Sequence, residues 1–134
     1  MFHSLDVSTS ALVAQRHRMD TIAANIANLN TTRNEAGEPS PFQRRLVTFQ
    51  AKEMTGGAGL GVTHQVEVDE ATPPRKVYQP THPDADQDGN VLYPNINQVT
   101  EFVNALEAGR AYEANIAAIE MSKQMMQQTL RILA

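Results

Sequence analysis

Three aspartates at alternate positions form the clearest candidate for metal chemistry in this chain. Asp84, Asp86 and Asp88 are followed directly by Gly89. Acidic side chains at positions one, three and five with a glycine at position six are the opening of a calcium-binding loop, because Ca²⁺ is held by oxygen ligands around a sharp turn. The pattern therefore raises the possibility of a calcium site in this segment.

The remainder of a calcium loop is missing. Position twelve is Asn95, whose amide cannot supply the bidentate carboxylate that closes such a loop. Pro83 and Pro94 flank the segment and disfavour a helix entering it. We interpret the segment as a solvated acidic turn and predict no metal and no cofactor, with a small calcium-binding or adaptor module as the alternative.

Other patterns of catalytic or ligand-binding chemistry are weak. The glycines of residues 56–61 lack the preceding apolar strand of a phosphate loop, so we interpret them as a linker. No two of the four histidines have metal-ligand spacing on one helix, and the sequence has no cysteine and no nucleophile motif. The net charge of −4 disfavours nucleic acid as a partner. We predict neither an enzyme nor a small-molecule substrate.

The helix-breaking residues are confined to the middle of the chain, between two segments with a helical pattern. All seven prolines and all but one of the seven glycines lie between residues 37 and 94. The two flanking segments both show helical spacing of apolar residues. We predict a mainly α fold with a small β domain, in which residues 1–32 and 98–134 form two long helices packed as a coiled-coil-like pair around a β-rich insertion of residues 33–97.

The first helix carries a narrow apolar stripe. Such a stripe is typical of a seam with another helix rather than of a globular core face. Its members recur at seven-residue steps or fill the positions between them: Leu5, Leu12, Met19, Ile22, Ile26 and Leu29. A lone helix of this kind is marginal in water, so we expect partners to complete it.

The asparagine-rich end of this helix has two interpretations. Asn and Thr compete for backbone hydrogen bonds and favour helix ends, which makes residues 25–32 a simple terminus and turn. Alternatively, Asn25 or Asn28 lies in the seam and fixes its register, as a buried asparagine can.

The middle segment indicates short strands. Alternation of apolar and polar residues predicts strands over residues 45–50 and 61–69, and a further short strand over residues 91–93. His64 falls on the valine face of the second of these. Asn95 or Asn97 is the predicted N-cap of the second long helix.

The second helix carries a longer stripe at steps of three and four residues. No segment in the middle of the chain could cover this stripe over its full length, so we predict that the stripe is an assembly surface. Its members are Phe102, Leu106, Gly109, Tyr112, Ile116, Ile119, Lys123, Met126, Leu130 and Leu133. Arg110 and Glu113 are either an ordinary solvated face beside Tyr112 or a pair that joins neighbouring subunits.

Five segments resemble the bacterial flagellar basal-body rod proteins. They are S-A-L-V-A-Q-R-H-R-M-D-T-I-A-A-N-I-A-N-L-N-T-T-R at residues 10–33, P-P-R-K-V-Y at 73–78, H-P-D-A-D at 82–86, P-N-I-N at 94–97 and R-A-Y-E-A-N at 110–115. The first is similar to the axial family as a whole, which makes another rod subunit the alternative. The central segments narrow the likeness to the proximal rod proteins. Residues 37–42, G-E-P-S-P-F, depart from the family by lacking a tyrosine after the first proline.

The resemblance implies a structural subunit that packs its terminal helices against other rod subunits and copies of itself. It implies a hollow drive shaft across the periplasm, contact with the inner-membrane ring or export gate at its base, and export through the flagellar type III apparatus. Residues 1–29 show no basic start followed by an apolar run, so we expect no cleaved secretory leader. No segment reaches the roughly 18 apolar residues that span a bilayer.

Overall fold

The computed structural model describes residues 2–53 and 60–133, which form two long helices with four strands between them. In chain order the elements are α1 (Phe2–Ala27), β1 (Arg45–Glu53), β2 (Leu60–Val68), β3 (Arg75–Tyr78), β4 (Asn90–Tyr93) and α2 (Gln98–Leu133). The predicted combination of two terminal helices and a small β region is therefore confirmed.

The two helices are antiparallel and differ in length. Arg18 lies 3.5 Å from Glu107, and Asn25 lies 3.1 Å from Glu101, so later positions of α1 meet earlier positions of α2. At about 1.5 Å per residue, α1 is roughly 39 Å long and α2 roughly 54 Å. Continuing this register places Phe2 level with about position 124, since each step back along α1 is one step forward along α2. The last ten or so residues of α2 therefore extend past the described start of α1.

Small side chains are among the most deeply buried residues of both helices. Ala14 on α1 and Ala108 on α2 are fully buried, and Ile22 is the largest buried aliphatic side chain of α1 within the described residues. The distance between packed helices depends on the side chains at the contact, and alanines permit a close approach.

A β-hairpin lies along α1. β1 and β2 pair antiparallel from Arg45 opposite Val68 to Glu53 opposite Leu60, which confirms the strands predicted at residues 45–50 and 61–69. The Val62 amide donates to Ser10 Oγ at 3.0 Å, and the imidazole of His64 stacks on that of His17 with ring centroids 4.1 Å apart. The predicted glycine linker lies, up to residue 59, outside the described residues.

A second ribbon joins β3 to β4 in antiparallel register from Arg75 opposite Tyr93 to Tyr78 opposite Asn90. β4 confirms the strand predicted at residues 91–93, and its Val91 is fully buried. The turn before β4 requires a glycine. Gly89 has a φ of +78°, and a Cβ there would lie 2.9 Å from the Tyr78 ring.

Asn97 begins α2. Its Oδ1 accepts hydrogen bonds from the amides of Val99 at 3.0 Å and Thr100 at 3.2 Å, the geometry of an N-cap. This decides between the two predicted caps, because Asn95 instead donates to the Pro73 carbonyl. Among the residues the structure describes, neither helix combines the length and apolarity that crossing a membrane requires.

Candidate assembly surface

The start of α2 presents an apolar patch on the side facing away from α1. Its four members, the base patch, are Val99, Phe102, Val103 and Leu106. Val99 is 70% exposed and Leu106 is 66% exposed. Residues spaced three and four apart lie on one side of a helix, so the four side chains form a continuous surface. Several large apolar side chains exposed side by side are typical of an interaction site.

The far end of α2 is apolar and uncovered. Residues 124–133, the overhang, extend past the described part of α1, and every residue from 127 to 133 is exposed. Leu130, Ile132 and Leu133 are 63%, 84% and 78% exposed. These three residues do not share one side of the helix, and a helix with apolar residues on more than one side is typically surrounded by other elements.

The structure places the predicted stripe of α1 mainly at partly covered positions. Ile22 and Asn25 are buried, and the remaining predicted positions are half-buried: Leu5, Leu12, Met19, Ile26, Asn28 and Leu29. The stripe therefore already packs in part within the chain, against α2 and the hairpin, and keeps part of its surface accessible.

The predicted stripe of α2 does not stay on one side of the helix. Its half-buried members are Gly109, Tyr112, Ile119 and Met126, whereas its exposed members are Phe102, Leu106, Ile116, Lys123, Leu130 and Leu133. Steps that average fewer than 3.6 residues drift around a straight helix. The stripe therefore starts on the outer side and moves to the side that packs on α1, the side on which Ala108 is fully buried.

Arg110 and Glu113 are exposed on either side of the half-buried Tyr112. This arrangement fits a solvated helix face with one packed aromatic ring. An ion pair between subunits stays a prediction.

A buried polar junction fixes how the helices and the hairpin meet. The Asn25 side chain, 1% exposed, donates from Nδ2 to the Arg45 carbonyl at 2.8 Å and accepts the Arg45 amide at 2.9 Å. It also donates to Glu101 Oε2 at 3.1 Å. One side chain thus satisfies the first backbone groups of β1 and links α1 to α2, so Asn25 sets register within the chain.

Glu101 completes this junction. Its carboxylate is 2% exposed and accepts hydrogen bonds from Nε and Nη2 of Arg44 at 2.9 and 2.6 Å. A buried carboxylate is costly unless it is paired and hydrogen-bonded, and here both oxygens have donors. Nothing in the sequence predicts this role, because an acid in the first turn of a helix is ordinarily a solvated partner of the helix dipole.

Asn28, the other predicted register residue, makes local contacts. Its Nδ2 donates to the Ala24 carbonyl at 2.8 Å, and its Oδ1 accepts from Thr31 Oγ1 at 3.0 Å. These bonds are those of a helix terminus, which agrees with the simpler interpretation of the asparagine-rich segment.

The acidic turn uses its carboxylates internally. Asp84, whose side chain is 4% exposed, accepts from Arg33 Nε at 2.6 Å and from Thr32 Oγ1 at 2.7 Å. These hydrogen bonds, with that to Arg33 the stronger, lower the pKa of Asp84, and the same contact raises the pKa of Arg33. Asp86 Oδ1 accepts the amides of Asp88 and Asn90. No three acidic or histidine side chains in the described residues are arranged to hold a metal ion.

The fold places the chain in a class of mainly helical proteins, with two long antiparallel helices around a small β region. The family model described as "Flagella basal body rod protein" matches residues 5–33, and that described as "Flagellar basal body rod FlgEFG protein C-terminal" matches residues 87–132. These two segments contain almost all of α1 and almost all of α2.

Curated relatives match over nearly the whole chain. The chain is 39% identical to the flagellar basal-body rod protein FlgC of Bacillus subtilis (strain 168), over 98% of this chain and 97% of that protein. It is 35% identical to FlgC of Aquifex aeolicus, over 96% and 94%, and 35% identical to FlgC of Salmonella typhimurium, over 98% and 97%. The chain belongs to the flagellar basal-body rod protein FlgC family. It is therefore a structural subunit of the basal-body rod and not an enzyme, and membership implies assembly with other rod components.

Proposed function

We propose that this chain joins the proximal rod through its terminal helices, residues 1–32 and 98–134, with the β-rich region of residues 33–97 between them. The observation that carries the proposal is the base patch. Four large apolar side chains lie side by side in water on a helix whose opposite side is packed. Covering one such side chain contributes about 1.5–3 kcal/mol, so a neighbouring helix on the patch would be bound strongly.

The first helix supports the same proposal. Leu5, Leu12 and Met19 are half-buried at seven-residue steps and so keep apolar surface for a second helix. We propose that α1 and α2 form a coiled-coil-like pair in the assembled rod, completed by helices of neighbouring subunits.

Membership of the FlgC family supports a proposal on where in the flagellum the subunit lies and how it arrives there. We place the subunit in the drive shaft that crosses the periplasm, next to other rod subunits and copies of itself. Contact with the inner-membrane ring or export gate would hold the base of the shaft. Export through the flagellar type III apparatus would deliver the subunit to its place.

A charge in the base patch tests the proposal. We expect Leu106→Glu to abolish swimming and incorporation into basal bodies, because assembly would bury an unpaired carboxylate. The isolated variant should keep its fold, since Leu106 is exposed and glutamate is a good helix former. Circular dichroism of the purified variant and a swimming assay in cells that produce only this variant measure the two properties.

The matched control is Thr81→Glu, which adds the same charge at an exposed turn position outside the helices. It should leave swimming and incorporation unchanged. A folded Leu106→Glu variant that swims normally would show that this side of α2 is not an assembly surface.

A further inference from the structure

We propose that residues 73–96, the ribbon segment, form a hinged unit that the carboxylate of Asp84 latches to the loop after α1. The ribbon segment contains β3 and β4. This inference goes beyond the proposed function, because it concerns a motion within one chain and does not require assembly. Opening of the latch would change the angle between the ribbon segment and the helices while the contact between α1 and α2 stays in place.

The ribbon segment has little contact with the rest of the chain. Within residues 2–53 and 60–133, neither β3 nor β4 packs against a helix or against the hairpin of β1 and β2. The segment is nevertheless held together internally. β3 and β4 pair along their whole length, Tyr93 Oη donates to Gln79 Oε1 at 2.8 Å, and the Gln79 amide donates to the Gly89 carbonyl at 2.8 Å. The segment therefore has a shape of its own, and contacts outside its strands must fix its position.

The Asp84 carboxylate supplies those contacts. Its Oδ1 accepts from Arg33 Nε at 2.6 Å, and its Oδ2 accepts from Thr32 Oγ1 at 2.7 Å. In the part of the chain that the structure describes, every hydrogen bond and ion pair between the ribbon segment and the residues outside it ends on this carboxylate. Asp84, Thr32 and Arg33 are together the latch.

The turn after α1 connects the latch to the helix. Asn28 Nδ2 donates to the Ala24 carbonyl, and Asn28 Oδ1 accepts from Thr31 Oγ1. The residue directly before the latch is thus bound to the last turn of α1. A closed latch therefore positions the ribbon segment relative to the helices rather than relative to a loose loop.

The apolar packing beside the latch is incomplete. A cleft of about 260 Å³ is lined by Pro39 and Pro41 of the loop and by Val91 and Leu92 of β4. Atoms that line open space lack partners on that side and lose the corresponding dispersion attraction. The polar latch consequently contributes a large share of the connection between the loop and the ribbon segment.

The hinge lies at the opposite end of the ribbon segment from the latch. One backbone connection leads from β2 into β3, and the other leads from β4 into α2. Asn95 Nδ2 donates to the Pro73 carbonyl at 3.2 Å, so the two connections run side by side. Adjacent loop connections at one end of a rigid unit allow hinge motion about that end. Asp84 lies in the turn at the other end, beyond the pair of Tyr78 and Asn90.

The latch can open without unfolding the ribbon segment. The charge-assisted hydrogen bond of Arg33 to Asp84 is of a strong kind, but the Arg33 side chain is 49% exposed. Water and salt weaken an ion pair with an exposed partner. The pairing of β3 with β4 does not include Asp84 and persists when the latch is broken.

Spin labels on introduced cysteines test the motion in the purified full chain, since the sequence has no cysteine of its own. One label is attached at Ala23→Cys on α1, and the second at Lys76→Cys on β3 or at Thr81→Cys in the turn, all three being exposed positions. Double electron–electron resonance measures the distribution of distances between the labels. With the latch intact, both pairs should give a narrow distribution.

Asp84→Asn should broaden both distributions, and the broadening should be larger at Thr81 than at Lys76, because displacement grows with distance from the hinge. Arg33→Met should have the same effect from the other side of the latch. Asp88→Asn is the matched control, since it removes a charge from the same turn without touching the latch, and its distributions should stay narrow. Hydrogen exchange should show that the paired amides of β3 and β4 keep their protection in every variant.

Four results would each overturn the inference. They are a distribution in Asp84→Asn as narrow as that of the parent, a parent as broad as Asp84→Asn, broadening at Thr81 alone, and loss of amide protection in β3 and β4. The third result would mean that only the turn loosens, and the fourth that the ribbon segment unfolds instead of swinging. None of them bears on the proposed function, which the Leu106→Glu variant tests separately.

Discussion

At the scale of single residues, the Asn25 side chain takes the place of a neighbouring strand beside the first residue of β1. Its amide exchanges two hydrogen bonds with Arg45, as a neighbouring β-strand residue would, and gives its remaining donor to Glu101. Asparagine suits this position because it carries both donors and an acceptor on one short side chain. Three elements consequently depend on one side chain for their relative register.

We predict that Asn25→Asp lowers the free energy of unfolding by about 2–3 kcal/mol or more at neutral pH. Aspartate cannot donate to the Arg45 carbonyl, and it would place a second carboxylate against Glu101. Urea unfolding followed by circular dichroism measures the loss. Asn28→Asp is the control, because its contacts are local, and it should cost only a fraction of that amount. Equal losses for the two variants would contradict the assigned role of Asn25.

The Asp84 contact predicts a specific acid dependence. The pKa of Asp84 is lowered in the folded chain, chiefly by its hydrogen bond to Arg33. Its contribution to stability is therefore fully present above the unfolded value of about 3.9 and is lost as pH falls through the lower folded pKa. The wild type should be more stable than Asp84→Asn at pH 7, and the difference should shrink below about pH 4. Urea unfolding across this range tests it, and a gap that stays constant would refute the assignment.

At the scale of elements, the periodicity of apolar residues predicts some features of α2 and leaves others undetermined. Its existence and its N-cap region follow from apolar spacing and from the asparagines before it. Which side packs within the chain does not follow, because the small side chain of Ala108 is fully buried while the larger Leu106 and Phe102 remain exposed. Apolar side chains occur both on surfaces that pack within the chain and on surfaces that pack against a neighbouring subunit. The sequence pattern alone does not distinguish these two kinds of surface.

The strands show the same limit. β1, β2 and β4 have enough alternation to be predicted, whereas β3 follows two prolines and has Val77 as its sole half-buried position. β3 exists because β4 pairs with it, which is a tertiary cause that local sequence does not reveal. The Arg44–Glu101 contact likewise joins positions 57 residues apart in the sequence.

At the scale of the whole molecule, the chain buries little by itself. Within the described residues the buried aliphatic side chains are Ala14, Ile22, Val91 and Ala108. The stability of a small domain depends on its buried apolar area. The isolated subunit should accordingly open first at the parts farthest from the Asn25 junction.

Limited proteolysis of the purified monomer checks this expectation. Trypsin should cut first after Lys123 and Arg131, in or next to the overhang, and later after Arg44, which is held by Glu101. Mass spectrometry of early fragments identifies the order. Initial cleavage after Arg44 would show that the junction is weaker than its hydrogen bonds imply, and a full-length resistant monomer would count against assembly through the helix ends.

The buried alanines of the two helices have a mechanical consequence. Alanine has no side-chain rotamers, so Ala14 and Ala108 cannot yield by changing conformation when one helix is turned against the other. Close-packed interiors are poorly compressible and transmit strain. We therefore expect a torque applied to α2 to pass to α1 with little slack, so that the two helices turn as one unit.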